Sequence, residues 1–70
     1  MTEKCALIID SLVKERHNMG MTQAQLARAC SLTQSVIARL ENKKVAPQLD
    51  TLLKIATALD CSVAVIKIPK

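Results

Sequence analysis

Apolar residues recur three and four positions apart along most of this 70-residue chain. That spacing places apolar side chains on one face of an α-helix. Gly20 follows the first such segment, and Thr22 and Thr33 precede the second and the third. Glycine is favoured just past a helix end, and threonine is a good N-cap. The pattern therefore predicts four helices, over residues 3–19, 23–30, 34–42 and 49–59.

The same spacing predicts which side chains face inward. In chain order, the four helices are expected to bury Cys5, Ile8, Ile9, Leu12, Val13 and Arg16; Leu26, Ala27 and Cys30; Val36, Ile37 and Leu40; and Leu49, Leu52, Leu53, Ile55, Ala56 and Leu59. On the first helix the spacing leaves open whether Ile9 or Val13 faces solvent or another chain.

The period changes near the end of the chain. Residues 62–68 are rich in β-branched side chains, which favour a strand, and Pro69 follows them. A lone strand leaves its backbone groups without partners, and the sequence contains no second candidate strand. We therefore predict that two copies pair antiparallel about a two-fold axis, through Val63, Val65, Ile66 and Ile68. The alternative is a fifth short helix.

Composition limits the fold and points to a partner. Seventy residues form one domain, and the absence of Phe, Tyr and Trp leaves only smaller apolar side chains for the core. A core of this size rarely supplies more than roughly 3–5 kcal/mol, so association between copies would add to its stability. The formal charge of +4 fits a polyanionic partner, although many small basic proteins bind nothing acidic.

The candidate chemistry is sparse. Cys5, Cys30 and Cys61 are widely spaced and odd in number, which indicates neither a zinc site nor a disulfide framework. We interpret them as reduced core residues of a cytoplasmic protein, with a Cys61–Cys61 bridge across a dimer as the weaker alternative. No apolar run is long enough for a signal peptide or a membrane span. Because no nucleophile is paired with a base and no acid/base group is evident, we expect neither enzyme activity nor a cofactor or metal.

Residues 22–41 predict two short helices joined by a tight turn, with small residues where the helices would cross. This is a helix-turn-helix arrangement, whose second helix enters the major groove of DNA. Glutamine can bond to adenine, arginine to guanine and serine to either, and alanine can contact a thymine methyl group. We therefore predict base contacts by Gln34, Ser35, Ala38 and Arg39.

Phosphate contacts are predicted around the same two helices. A helix N-terminus offers free N–H groups and a positive dipole end, and two lysines follow the second helix. The ordinary alternatives are that Gln34 and the lysines are simply solvated, and that Arg39 pairs with an acid or a phosphate. The predicted phosphate-binding residues are Thr22, Gln23, Thr33, Asn42, Lys43 and Lys44.

From about residue 16 to residue 62 the chain resembles the Cro/phage-repressor (XRE-type) helix-turn-helix family. The matching residues are Thr22-Gln23, Leu26-Ala27, Thr33-Gln34, Ile37 and Arg39-Leu40-Glu41-Asn42, followed by APQLDTLLKIATALD. The resemblance implies a compact bundle of four or five helices and a structural ion pair between Arg16 and Glu41. It also implies base contacts by Gln34, Ser35 and Arg39, and phosphate contacts by Thr22, Gln23, Asn42 and Lys44.

Three features depart from the family pattern. Ser31 stands where the family usually has glycine, and a left-handed serine costs about 1 kcal/mol, so the turn is expected to differ slightly. Lys43 replaces the glycine of the family's Asn-Gly-Lys. The predicted strand replaces the usual fifth helix, and in this it resembles the antitoxin regulators of toxin–antitoxin operons, where such a strand builds the dimer.

The expected fold is mainly α: a four-helix, lambda-repressor-like helix-turn-helix domain over residues 1–70, with a C-terminal strand paired across a dimer. The expected function is sequence-specific binding of double-stranded DNA by a homodimeric transcriptional regulator. It would repress its own operon at a near-palindromic operator, in the cytoplasm of a prokaryote or phage. The alternative is a protein-interaction module, such as an antitoxin neutralising a toxin protein, with DNA binding secondary.

Overall fold

The computed structural model describes residues 1–69, which contain four α-helices. They are α1 (Glu3–Asn18), α2 (Gln23–Cys30), α3 (Gln34–Glu41) and α4 (Leu49–Ala58). All four predicted helices are present, and their observed ends differ from the predicted ends by no more than one residue. None of the helices in residues 1–69 is both long and apolar enough to cross a membrane. Lys70, the last residue of the predicted domain, lies outside the described residues.

Threonine side chains begin the first three helices. The hydroxyl oxygens of Thr2, Thr22 and Thr33 each accept a hydrogen bond from the amide three residues on, at 3.2, 3.1 and 3.3 Å. At α2, Gln25 Oε1 also accepts the Thr22 N–H at 2.8 Å, which completes a capping box. These bonds satisfy amides that a helix start leaves free, so the short helices α2 and α3 begin at defined residues.

A residue with left-handed backbone lies one or two positions after the end of each of the four described helices. These residues are Gly20, Ser31, Lys43 and Asp60, with φ of 69, 58, 60 and 56°. After α2, the Ser31 amide donates to the Arg28 carbonyl at 3.2 Å and the Leu32 amide to the Ala27 carbonyl at 2.8 Å. The same two bonds follow the other three helices, and together they form the Schellman pattern. Three of the four ends therefore carry a Cβ where glycine would avoid strain.

The core is built around α2. This helix packs against both α3 and α4, while α1 packs against α3. Leu26 of α2 and Ile37 of α3 are 2% and 1% exposed, and both belong to the same buried cluster. Packing of α3 on α2 fixes which of its sides faces outward. The buried cluster consists of Leu26, Ala27, Cys30, Ile37, Leu40, Ile55 and Leu59.

The predicted inward faces are wrong at four positions. Ile8, Val36, Leu49 and Leu53 are 45%, 38%, 65% and 41% exposed. Ile9, for which the spacing left both outcomes open, is buried at 4% exposure. Apolar spacing shows the direction of a buried stripe but not its width, and a domain this small covers only part of each helix. On each helix the apolar side chains nearest the core are buried, and those at the margin of the apolar face are exposed.

The segment after α4 corrects the prediction of a strand. Residues 61–69 have no regular secondary structure, so the strand predicted over residues 62–68 is wrong for the single chain. The alternative, a fifth helix, is absent from these residues as well. A strand exists only through hydrogen bonds to a neighbouring strand, and residues 1–60 supply none. Cys61 is half-buried against the core, but the large apolar side chains that follow it are all exposed: Val63, Val65, Ile66 and Ile68.

Candidate nucleic-acid interface

A nearly buried ion pair fixes the two short helices to α1. Arg16 lies near the end of α1, and Glu41 is the last residue of α3. Arg16 Nε donates to Glu41 Oε2 at 2.7 Å, and Arg16 Nη2 donates to Glu41 Oε1 at 2.8 Å. Arg16 Nη1 donates to the Met21 carbonyl, just before α2, at 2.8 Å. One guanidinium group therefore joins the end of α1, the start of α2 and the end of α3.

Two further side chains bond to this pair. Gln23 Nε2, at the start of α2, donates to Glu41 Oε1 at 3.0 Å. His17 Nε2 lies 3.0 Å from Arg16 Nη2 and accepts its hydrogen, because arginine only donates. No buried side-chain nitrogen or oxygen in residues 1–69 lacks a hydrogen-bond partner. The network is thus satisfied, which a nearly buried charge requires.

The residues predicted to contact bases lie on the side of α3 opposite the core. Gln34, Ser35 and Arg39 are exposed, and Ala38 is half-buried. The two core residues of the same helix are 1% and 6% exposed. Within residues 1–69, neither Gln34 nor Arg39 forms a side-chain hydrogen bond or ion pair. Their polar groups are therefore available to a ligand.

The residues predicted to bind phosphate differ in how free their side chains are. Asn42 and Lys44 are exposed just after α3. The hydroxyl oxygens of Thr22 and Thr33 accept the bonds that cap α2 and α3, which leaves each hydroxyl hydrogen to donate. Gln23 is half-buried and already bonded to the ion pair. Thr22, Thr33 and Gln23 therefore each combine a structural hydrogen bond with a donor hydrogen that remains available.

Lys43 is held by an acidic side chain of α1. Its Nζ lies 2.6 Å from Oδ1 of Asp10, and the two side chains are 38% and 54% exposed. An ion pair this exposed is worth about 0–1 kcal/mol, so a phosphate could compete with Asp10 for the lysine. Lys44 forms no such pair in the described residues. The two adjacent lysines are therefore not equivalent.

Sequence reasoning missed three contacts at this surface. The capping box had a local signal, since Gln25 stands three residues after Thr22. The pairing of Asp10 with Lys43, and the bond from Gln23 to Glu41, join residues distant in the chain. No local pattern signals such contacts, because they depend on how the helices pack.

The cysteines supply no reactive group to this surface. All three are free thiols, and Cys30 is buried. Burial raises the pKa of the Cys30 thiol, and the nearby charge of Lys54 opposes this shift. Cys30 Sγ lies 3.8 Å from the Lys54 carbonyl, to which the protonated thiol donates. No group of three or more His, Cys, Asp or Glu in residues 1–69 could hold a metal ion.

Two short helices joined by a left-handed turn, with one packed face and one polar outward face, define a helix-turn-helix domain. The helix-turn-helix family profile matches residues 12–66, well over half of the chain. The chain belongs to the helix-turn-helix family, in its Cro/phage-repressor (XRE) type.

Known proteins similar to this chain include a transcriptional regulator and a solved structure. An uncharacterized HTH-type transcriptional regulator of Haemophilus influenzae is 34% identical over 59 residues, which cover 84% of this chain. The chain spans only 60% of that relative's length. A solved structure of a toxin–antitoxin module from Streptococcus pneumoniae is 34% identical, with a TM-score of 0.77. That similarity covers 96% of this chain and 74% of the other.

Proposed function

We propose that this protein is a transcriptional regulator that binds double-stranded DNA in a sequence-specific manner. The observation that carries the proposal is the outward face of α3, where Gln34, Ser35 and Arg39 are exposed. Their donors and acceptors match base edges in the major groove. The family, and the name of the Haemophilus influenzae relative as a transcriptional regulator, support the same function.

In this proposal α3 enters the major groove and α2 crosses the DNA backbone. Gln34 would bond to adenine and Arg39 to guanine, Ser35 would bond to either, and Ala38 would contact a thymine methyl group. The backbone phosphates would meet Thr22, Gln23, Thr33, Asn42, Lys43 and Lys44. Each lysine contact displaces counterions from DNA, so the affinity would fall as salt rises.

The proposal includes a homodimer formed through the C-terminal tail, residues 61–69, which follows α4. Val65, Ile66 and Ile68 are 102%, 84% and 74% exposed, so the single chain leaves their apolar surface uncovered. Pairing two tails about a two-fold axis would cover that surface and supply backbone partners for residues 62–69. The two copies of α3 would then meet half-sites roughly 34–36 Å apart on a near-palindromic operator. Binding of that operator upstream of its own gene would make the protein an autorepressor.

Footprinting on the DNA upstream of the gene tests the proposal directly. Purified protein would be titrated at several salt concentrations, with unrelated DNA of the same length as the control. We expect protection of one near-palindromic site, with log affinity falling linearly against log salt. Equal affinity for both DNAs would show a basic protein that reads no sequence, and would refute the proposal.

A second candidate function is that of an antitoxin whose main partner is a toxin protein. The similarity to the Streptococcus pneumoniae toxin–antitoxin module, over 96% of this chain, favours it. Both functions can belong to one protein, because an antitoxin that represses its operon uses one surface for DNA and another for the toxin. The exposed apolar residues Leu7 and Ile8 of α1 lie outside the base-contacting face and would serve such a second surface.

The adjacent gene separates the two candidates. Under the second function, expression of that gene alone would arrest growth, and co-expression of this chain would restore it. Rescue by a variant that no longer binds DNA, Arg39→Ala with Lys44→Ala, would make protein binding the primary activity. A neighbouring gene whose expression leaves growth unchanged would remove the second candidate.

A further inference from the structure

Gln23 and Glu41 form a contact that links the nearly buried ion pair to the surface proposed to bind phosphate. Gln23 is the first residue of α2 and is half-buried. Its Nε2 donates to Glu41 Oε1 at 3.0 Å, and the same oxygen accepts from Arg16 Nη2 at 2.8 Å. The Glu41 side chain is only 12% exposed. The bond to Arg16 therefore holds Glu41 Oε1 in position independently of Gln23.

This contact determines which way the amide of Gln23 is turned. A carboxylate only accepts hydrogen bonds, so it selects the amide nitrogen of Gln23 and not the amide oxygen. The amide nitrogen carries two hydrogens, and one of them is used by Glu41. The second remains available at the N-terminus of α2, beside the free backbone N–H groups of that helix. Arg16 also neutralises the carboxylate, which reduces its repulsion of a nearby phosphate.

We propose that Glu41 is a positioning residue for DNA binding: it holds Gln23 so that the second amide hydrogen meets a backbone phosphate. This inference rests on the proposed function. It gives the Arg16–Glu41 pair a role besides stabilising the fold, because the pair presets a donor that would otherwise rotate freely in solvent. Preset donors lose less side-chain entropy when a ligand binds, and this raises affinity.

A double-mutant cycle measured by DNA titration tests the coupling between the two residues. In the wild-type background, Gln23→Ala removes a preset hydrogen bond and should lower affinity about three- to tenfold for every DNA sequence. The salt dependence should not change, because a neutral amide releases no counterion. In a Glu41→Asp background the carboxylate is one methylene shorter, and we expect it to keep its pair with Arg16 and to lose the bond to Gln23. There, Gln23→Ala should cost less than about twofold.

A second background and a control guard against effects of misfolding. Arg16→Met with Glu41→Leu removes both charges together, which leaves no unpaired buried charge, and should also reduce the effect of Gln23→Ala to less than about twofold. Gln25→Ala is the matched control, since Gln25 also lies in the first turn of α2 but bonds to Thr22 and not to Glu41. The effect of Gln25→Ala should be the same in every background.

Gln23→Lys supplies a readout that a merely structural role would not change. A lysine at this position has donors for both Glu41 and a phosphate, so it should keep wild-type affinity within about twofold and steepen the salt slope by about one. If Gln23→Lys shifted the unfolding midpoint but left the salt dependence of DNA affinity unchanged, the inference would be overturned. Equal effects of Gln23→Ala in all backgrounds would also overturn it. Wild-type protein that binds no DNA would overturn the proposed function itself, which the same titration reports separately.

Discussion

Arg16 and Glu41 stand 25 residues apart in the sequence, yet their side chains meet through two hydrogen bonds of 2.7 and 2.8 Å. Their side chains are 9% and 12% exposed, so water screens the pair weakly. The pair connects the end of α1 to the end of α3, and through Gln23 it reaches the start of α2. The orientation of the candidate DNA-binding face therefore depends on a contact made almost inside the protein.

The first prediction concerns the stability of this pair. Arg16→Met leaves the Glu41 carboxylate nearly buried without a cation, and should destabilise the fold by about 3–5 kcal/mol. Arg16→Met combined with Glu41→Leu removes the unpaired charge, and should lose far less, because apolar replacement of a buried pair is often neutral. Urea unfolding followed by circular dichroism measures both. Equal losses in the single and double variants would show that the unpaired charge is not the cause.

The second prediction separates reading of bases from binding of phosphates. Arg39→Ala should cost about 1–3 kcal/mol and relax the preference at one base position. Lys44→Ala should weaken binding to all sequences alike and lower the salt slope by about one. Titration of an operator and its single-base variants at three salt concentrations measures both effects, and each variant is the other's control. An unchanged base preference in Arg39→Ala would remove this residue from base readout.

Local signals explain why the helices could be predicted. Apolar spacing and the caps Thr22 and Thr33 act within a few residues, so they are readable in the chain itself. The tail could not be predicted in the same way. A strand over residues 62–68 requires a partner, and the β-branched composition alone does not provide one within the chain.

Long-range contacts set the limit of prediction for the candidate site. The outward position of Gln34 and Arg39 follows from helical spacing, since both lie opposite the apolar stripe of α3. The bond from Gln23 to Glu41 depends on how α2 packs against α3, and the resemblance to a known family gave no sign of it. The sequence predicts a phosphate contact by Lys43 but gives no sign that the fold brings Asp10 against it.

The third prediction concerns the turn between α2 and α3. Ser31 has φ 58° and ψ 38°, a conformation that costs a residue with a Cβ roughly 1–2 kcal/mol. Ser31→Gly should therefore raise the free energy of unfolding by about 0.5–1.5 kcal/mol, after part of the gain is lost to the greater freedom of glycine in the unfolded chain. Ser31→Ala keeps the Cβ and should give no gain. If alanine stabilised as much as glycine, backbone strain would not be the reason.

The fourth prediction uses the buried thiol. Burial raises the pKa of the Cys30 thiol, so this cysteine should hold less reactive thiolate in the folded protein than after unfolding, and it is the only buried one of the three. Iodoacetamide at pH 8 should therefore modify Cys5 and Cys61 first, and Cys30 only after unfolding. Peptide mass spectrometry over a time course measures the three rates, with protein unfolded in urea as the reference. Early modification of Cys30 in folded protein would mean that α2 and α4 separate readily.

The fifth prediction tests the tail as the contact between two copies. Ile66 is 84% exposed in the single chain, so Ile66→Lys should leave the fold of one protomer intact while placing a charge in the proposed interface. Light scattering should then give a mass near 7.6 kDa, against about twice that for the wild type. Operator affinity should fall steeply in parallel, because one half-site contact replaces two. Leu7→Lys is the matched control, since Leu7 is 57% exposed on α1 and outside the tail, and it should leave the mass unchanged. If Ile66→Lys still gave the mass of a dimer, the contact between copies would lie elsewhere on the molecule.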